Sequence, residues 1–179
     1  MSTTGARAAA CMLAAVLASP LASAQTGAAA DVGTPWRARV VYVVDGDSVW
    51  VRSQDGDARV RLRMDGIDAP EICQRFGPEA RQALRALALH QSVRVTVRAY
   101  DGYGRAIASV VRLRDGVDVA ARMVADGWAR TDGFHGRRGR YESDEAQARH
   151  AGRGVFAEPD AESPAEFRRR HGPCAAAAG

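Results

Sequence analysis

The sequence predicts an α+β domain, a five-stranded β-barrel carrying about three α-helices. Three observations predict it. Between residues 36 and 113, apolar side chains alternate with polar ones in five short stretches, the period of strands with one buried face. A helical repeat interrupts that alternation once, between the third and fourth stretches. Two further stretches with helix-capping residues follow the last strand.

Residues 1–24 precede the fold and read as a secretory signal. Arg7 supplies a positive start, residues 8–17 a short apolar run, and Ala22-Ser23-Ala24 a small-residue cleavage site. The run is far below the roughly 20 residues of a membrane span, so a mature chain starting near Gln25, secreted or periplasmic, is expected. Residues 25–35 form a Gly/Ala/Thr linker without periodicity.

In the first strand Trp36, Ala38, Val40, Tyr42 and Val44 share one face, with Arg37 and Arg39 opposite. Asp45-Gly46 is a tight-turn signal leading to a second strand, residues 48–52. After a turn at 54–57, a third strand points Val60, Leu62 and Met64 inward and Arg59, Arg61 and Arg63 outward, completing an antiparallel meander. Gly77-Pro78-Glu79 opens a helix, because Pro suits the first turn and Glu complements the positive end of the helix dipole. Ala80, Ala83, Leu84, Leu87 and Ala88 recur at helical spacing as its core face. Val93, Val95 and Val97 mark a fourth strand, and the turn at 101–105 joins it to a fifth at 107–113. Asp118 caps a helix ending at Gly127, and Ser143, Asp144 and Glu145 start another ending near Gly152. Five strands with a helix between the third and fourth is the order of an OB-fold barrel. One domain, residues 36–159, is expected, followed by a loosely packed tail, residues 160–179.

The chain carries 25 basic against 21 acidic residues, for a net charge of +4, and every basic residue is Arg. The exclusive use of Arg is first of all what a GC-rich genome favouring Arg codons gives, and the positive balance is compatible with a polyanionic partner. There is no HExxH, no paired CxxC and no GxSxG, so zinc-protease and serine-hydrolase chemistry lack their minimal parts. The four histidines, His90, His135, His150 and His171, are scattered.

The segment Arg63-Met64-Asp65-Gly66-Ile67-Asp68-Ala69-Pro70-Glu71 gathers an Arg, carboxylates and a Pro-fixed turn. A second acidic turn, Asp45-Gly46-Asp47-Ser48, precedes it, and another Arg follows in Asp101-Gly102-Tyr103-Gly104-Arg105. Carboxylates hold hard divalent cations, and the planar guanidinium fork matches phosphate oxygens two at a time. Phosphodiester cleavage needs both. Taken singly, each piece has a plainer reading: Asp-Gly-Asp-Ser is ordinary hairpin chemistry, Arg63 shares a polar face with Arg59 and Arg61, and Glu71 is a solvated loop carboxylate. The loop at 132–140, with Phe134, His135, Arg137 and Arg138, suits a nucleic-acid strand or plain solvation.

Val43-Val44-Asp45-Gly46-Asp47-Ser48-Val49, the segment 63–71, Tyr103-Gly104-Arg105 and Gly127-Trp128-Ala129 together resemble, in order and spacing, the staphylococcal nuclease (thermonuclease) family over residues 37–159. The resemblance implies an OB-fold, Ca²⁺-dependent phosphodiesterase cutting DNA and RNA with little base preference and leaving 3′-phosphate ends. It implies Asp47 and Asp68 as carboxylate ligands of Ca²⁺, the backbone carbonyl of Ala69 as a further ligand, and Asp45 behind them. Glu71 would be the general base, or would order the attacking water. Arg63 and Arg105 would clamp the phosphate oxygens, and Tyr103 would pack against the terminal nucleotide or hydrogen-bond its phosphate. The family often has Thr at the position of Ala69, where a carbonyl ligand does not depend on the side chain. Its Lys before the Tyr is Gly102 here, which removes one supplementary phosphate contact.

The alternative reading is an OB-fold module that binds single strands without cutting. Asp47, Arg63, Asp68, Glu71 and Arg105 argue against it, because such a module needs a basic surface and not the carboxylates. A monomer is expected. With Cys11 removed in the signal, Cys73 and Cys174 remain. In an oxidising compartment they are expected to bridge and to pin the tail beside the Glu71 loop, the competing state being two free thiols.

Overall fold

The structure, a computed structural model, describes residues 31–54, 56–132 and 139–174. The signal, most of the linker, Phe134, His135, Arg137 and Arg138 of the loop at 132–140, and the terminal alanines lie outside the described residues. Strands β1 (Pro35–Val43), β2 (Ser48–Ser53) and β3 (Arg59–Met64) form the antiparallel meander. A two-residue strand β4 (Ile67–Asp68) and helix α1 (Gly77–Ala88) follow, then β5 (Ser92–Tyr100) and β6 (Ala106–Arg112). Helix α2 (Val119–Ala125), strand β7 (Arg130–Thr131), and helices α3 (Glu142–His150) and α4 (Pro164–His171) complete the order.

The long strands close a barrel in the order β1-β2-β3-β6-β5. Closure depends on one parallel pairing, β3 with β6, in which Leu62, Arg63 and Met64 face Ala106, Ile107 and Ala108. The α1 crossover makes that possible, since parallel neighbours cannot be joined by a tight turn. Val40, Val43, Val49, Val51, Val93, Val95 and Val97 fill the interior with Leu62 and Met64, and Leu84 of α1 and Met123 of α2 pack into the same core. Truncating a side chain such as Leu62 to Ala in a core of this kind costs about 2–5 kcal/mol.

Three expectations are corrected. In β1 the alternation breaks at Val41: Val40 pairs with Val51 but Tyr42 with Trp50. The extra residue in this bulge switches faces, so Tyr42 is 48% exposed and Val43, not Val44, is buried. Helix α3 starts one residue before Ser143 and has no side-chain cap. Tyr141 at its start is buried and donates its hydroxyl to Asp118 Oδ2 at 3.1 Å, while Asp118 Oδ1 caps α2 through Ala120 N and Ala121 N, so one carboxylate fastens both helices.

The third correction concerns the tail. It forms a fourth helix, with a capping box between Ser163 and Glu166 and Pro at its first turn. Cys174 just beyond it is joined to Cys73, the Cα atoms 5.8 Å apart. The tail lacks an apolar stripe, which is why its sequence reads as loose; its anchors are polar and covalent.

Candidate active site

The turn between β1 and β2 carries the first carboxylates. Asp47 N donates to Asp45 Oδ1 at 3.0 Å, a local side-chain turn. A Cβ on Gly46 would lie 2.6 Å from Ala69 Cβ and 2.9 Å from Ala80 Cβ, so only glycine lets this turn press against the Ala69 loop and α1. Asp47 is 4% exposed, and its buried oxygens are satisfied. Oδ1 accepts Ser48 Oγ at 2.7 Å, while Oδ2 accepts Arg63 Nη1 at 2.6 Å and Ala69 N at 3.2 Å. Burial, and next the charge of Asp47, push the Asp45 carboxyl up to about 7.

Arg63, on β3, bridges two acids. Its Nη2 donates to Asp68 Oδ1 at 2.9 Å and to Ile67 O at 3.2 Å. Burial opposes its charge, but Asp47 and Asp68 outweigh that and hold the guanidinium above its ordinary value. The Asp68 turn is braced by β4 pairing with β7, Ile67 opposite Thr131 and Asp68 opposite Arg130. Asp132 N then donates to Gly66 O at 2.9 Å, and burial followed by the charge of Asp68 raises the Asp132 carboxyl.

Glu71 sits on the next turn. Its N–H donates to Gln74 Oε1 at 3.1 Å. A Cβ on Gly77 would meet Glu71 O at 1.9 Å, so α1 can begin against this turn only with glycine. The Glu71 side chain meets Arg168 of α4: Nη1 donates to Glu71 Oε1 at 2.9 Å and to Asp68 Oδ1 at 3.0 Å, and Nη2 to Asp68 Oδ2 at 2.9 Å.

Asp45, Asp47, Arg63, Asp68, Ala69 and Glu71 are thus brought together, with Arg168 and Asp132 as members that the sequence reading missed. A signal for Arg168 existed: a Cys73–Cys174 bridge carries the Arg168-Arg169-Arg170 run toward Glu71. Arg105 and Tyr103 form a separate group. Asp101 Oδ1 accepts Tyr103 N and Arg105 N, each at 2.9 Å, and Oδ2 accepts Arg105 Nε at 2.7 Å. Tyr103 is 89% exposed, with the Arg105 guanidinium carbon 5.6 Å from its ring centre. The β3/β6 register sets Arg63 opposite Ile107, and Arg105, just before β6, lies two residues along the chain from that partner.

Chemically, the cluster offers hard oxygen donors on short, braced turns. Asp47, Asp68 and Glu71 carry three negative charges against the two positive charges of Arg63 and Arg168, an excess that suits a hard divalent cation. Among the described residues no three His, Cys, Asp or Glu side chains form a metal cage, so backbone oxygen and water would have to complete such a shell.

The fold and this cluster define an OB-fold-like barrel whose acid-and-arginine site suits phosphate chemistry. The chain belongs to the staphylococcal nuclease homologue family, which matches residues 61–158. It is 35% identical to a micrococcal nuclease of Shigella flexneri over 75% of this chain and 81% of that protein. It is 37% identical to protein ParB of Escherichia coli over 74% of this chain and 79% of that one. An uncharacterized endonuclease of Haemophilus influenzae is 28% identical over 74% of this chain and 72% of its own length. The family match contains Arg63, Asp68, Ala69, Glu71, Tyr103 and Arg105, begins after Asp47 and ends before α4.

Proposed function

We propose that the protein is an exported, Ca²⁺-dependent nuclease that hydrolyses phosphodiester bonds of DNA and RNA with little base preference and leaves 3′-phosphate ends. The observation that carries this reading is the Arg63 guanidinium joined to Asp47 and Asp68, with Glu71 on the adjoining turn. Family membership and relatives named as nucleases support it. Export is supported by the signal-like residues 1–24 and by the joined Cys73 and Cys174.

Asp47 and Asp68 would hold the cation, with the Ala69 carbonyl as a further ligand and Asp45 behind Asp47. When bound, the cation supplies charge neutralisation at the phosphate and a more acidic water. Glu71 takes the proton from the water that attacks phosphorus. Arg63 and Arg105 hold the non-bridging oxygens and balance the charge that develops on them. Exposed Tyr103 offers its ring to the terminal nucleotide.

Single-stranded DNA, RNA and denatured duplex should all be degraded with Ca²⁺, poorly with Mg²⁺, and not with chelator. Glu71→Gln should lower turnover by roughly 10²- to 10⁴-fold while leaving nucleotide binding nearly intact. Undiminished cleavage in chelator would overturn the metal assignment, and binding without cleavage by the wild-type chain would overturn the enzyme assignment.

A further inference from the structure

Four of the five residues from Glu71 to Arg75 are fastened to the C-terminal segment. Cys73 is joined to Cys174, and Arg75 pairs with Glu158. Gln74, 5% exposed, donates Nε2 to Glu162 O at 2.8 Å while its Oε1 receives the N–H of Glu71. Glu71 itself meets Arg168. The segment is held near both ends, by Gln74 on Glu162 and by the disulfide, and its helix opens on the Ser163/Glu166 capping box. Within the run of three arginines the partners differ: Arg169 faces Glu166 and Arg170 faces Glu162, whereas Arg168 reaches Asp68 and Glu71.

Asp68 and Glu71 are two anions three residues apart, and left alone they repel. Arg168 Nη1 lies between them, 3.0 Å from Asp68 Oδ1 and 2.9 Å from Glu71 Oε1. Nη2 closes a two-point contact on Asp68, which fixes the plane of the guanidinium, and Nη1 then holds Glu71 Oε1 at one point beside it. Helix α4 lies beyond the residues that match the family, so this brace is an addition to the matched segment.

We propose that Arg168 is a positioning residue for the nuclease reaction: delivered by the disulfide-tethered α4, it holds the Glu71 carboxylate beside Asp68, where it meets the attacking water. The inference rests on the reading of Glu71 as the group that handles that water.

The test compares full-length wild type, Arg168→Gln, Glu71→Gln and the double variant on single-stranded DNA with saturating Ca²⁺, and measures Ca²⁺ binding of each by calorimetry. Arg168→Gln should lower kcat by roughly 10- to 100-fold, as loss of a supporting contact does, with KM little changed and Ca²⁺ bound at least as tightly as in wild type. Because Arg168 acts through Glu71, the double variant should be no slower than Glu71→Gln alone. Arg168→Lys keeps the cation without the fork and should fall between wild type and Arg168→Gln; it stands in if the Gln variant does not fold. Arg169→Gln should match wild type. An unchanged or raised kcat in Arg168→Gln, or losses that multiply in the double variant, would overturn the positioning role. Weakened Ca²⁺ binding in parallel with kcat would overturn it too, assigning Arg168 to the metal site. Wild-type turnover in Glu71→Gln would instead remove the reading of Glu71 itself, a failure distinct from the others because it needs no Arg168 variant.

Discussion

Replacing Arg63 with Met removes a cation that Asp47 and Asp68 share while nearly keeping the volume. The side chains of Arg63, Asp47 and Asp68 are 19%, 5% and 13% exposed, so a buried Asp47 would lose its ion-pair partner and Asp68 would keep Arg168 alone. Removing one partner of a fully buried ion pair costs about 3–5 kcal/mol, and the residual exposure of Arg63 places this case at the low end, about 3 kcal/mol. With a urea slope of about 2 kcal/mol/M, the unfolding midpoint should fall by about 1.5 M. Urea unfolding followed by tryptophan fluorescence in chelator measures this, with Arg61→Lys on the same strand as a nearly silent control. Repeating it with Ca²⁺ adds a second check. A cation bound only by the native state at 100 times its Kd stabilises by about 2.7 kcal/mol, and the extra negative charge of the variant site should make its gain larger than that of wild type. The gap between the two proteins should therefore narrow. A midpoint in chelator within about 0.3 M of wild type, or a gap that widens with Ca²⁺, would refute the claim that Arg63 neutralises these two acids.

Arg105→Lys keeps the charge but loses the two-point fork, so turnover should collapse while the fold persists; near wild-type turnover would remove Arg105 from the phosphate clamp. Replacing Cys73 and Cys174 together by Ser opens a cross-link spanning 101 residues, for which chain entropy gives roughly 4–5 kcal/mol as an upper figure. The thermal midpoint should drop and activity should fall chiefly at elevated temperature, and an unchanged midpoint by calorimetry would contradict this. Burial, above all, pushes the Tyr141 hydroxyl up to about 12 from an ordinary value of 10.0. Below pH 10 both folded and unfolded chains keep that proton, and between pH 10 and 12 only the unfolded chain releases it, so stability falls as pH rises through that window, by up to about 2–3 kcal/mol. Tyr141→Phe should lose the hydrogen bond to Asp118 at neutral pH yet show a shallower alkaline decline; parallel stability curves for the two proteins would sink the assignment.

Much of the frame was legible without the structure, because it is written in local chemistry. Alternating valines set the barrel strands, Pro78 the start of α1 and Asp118 the cap of α2, each through contacts within a few residues. Gly46 between two acids marked a turn for the same reason, whereas Arg63 stood out from Arg59 and Arg61 only through the family resemblance, which its five-residue offset from Asp68 matches. What the sequence did not reveal is nonlocal. The bulge at Val41 turns Tyr42 outward because a strand's register is settled by its partners, β2 and β5, and not by its own alternation. That Arg105 comes two residues before the strand partner of Arg63 follows only from the parallel pairing of β3 and β6 that closes the barrel. Arg168 meets Asp68 across 100 residues and Glu71 across 97. No periodicity encodes an approach over such separations; barrel closure, a cross-link at Cys73 and the capping of α4 decide it together.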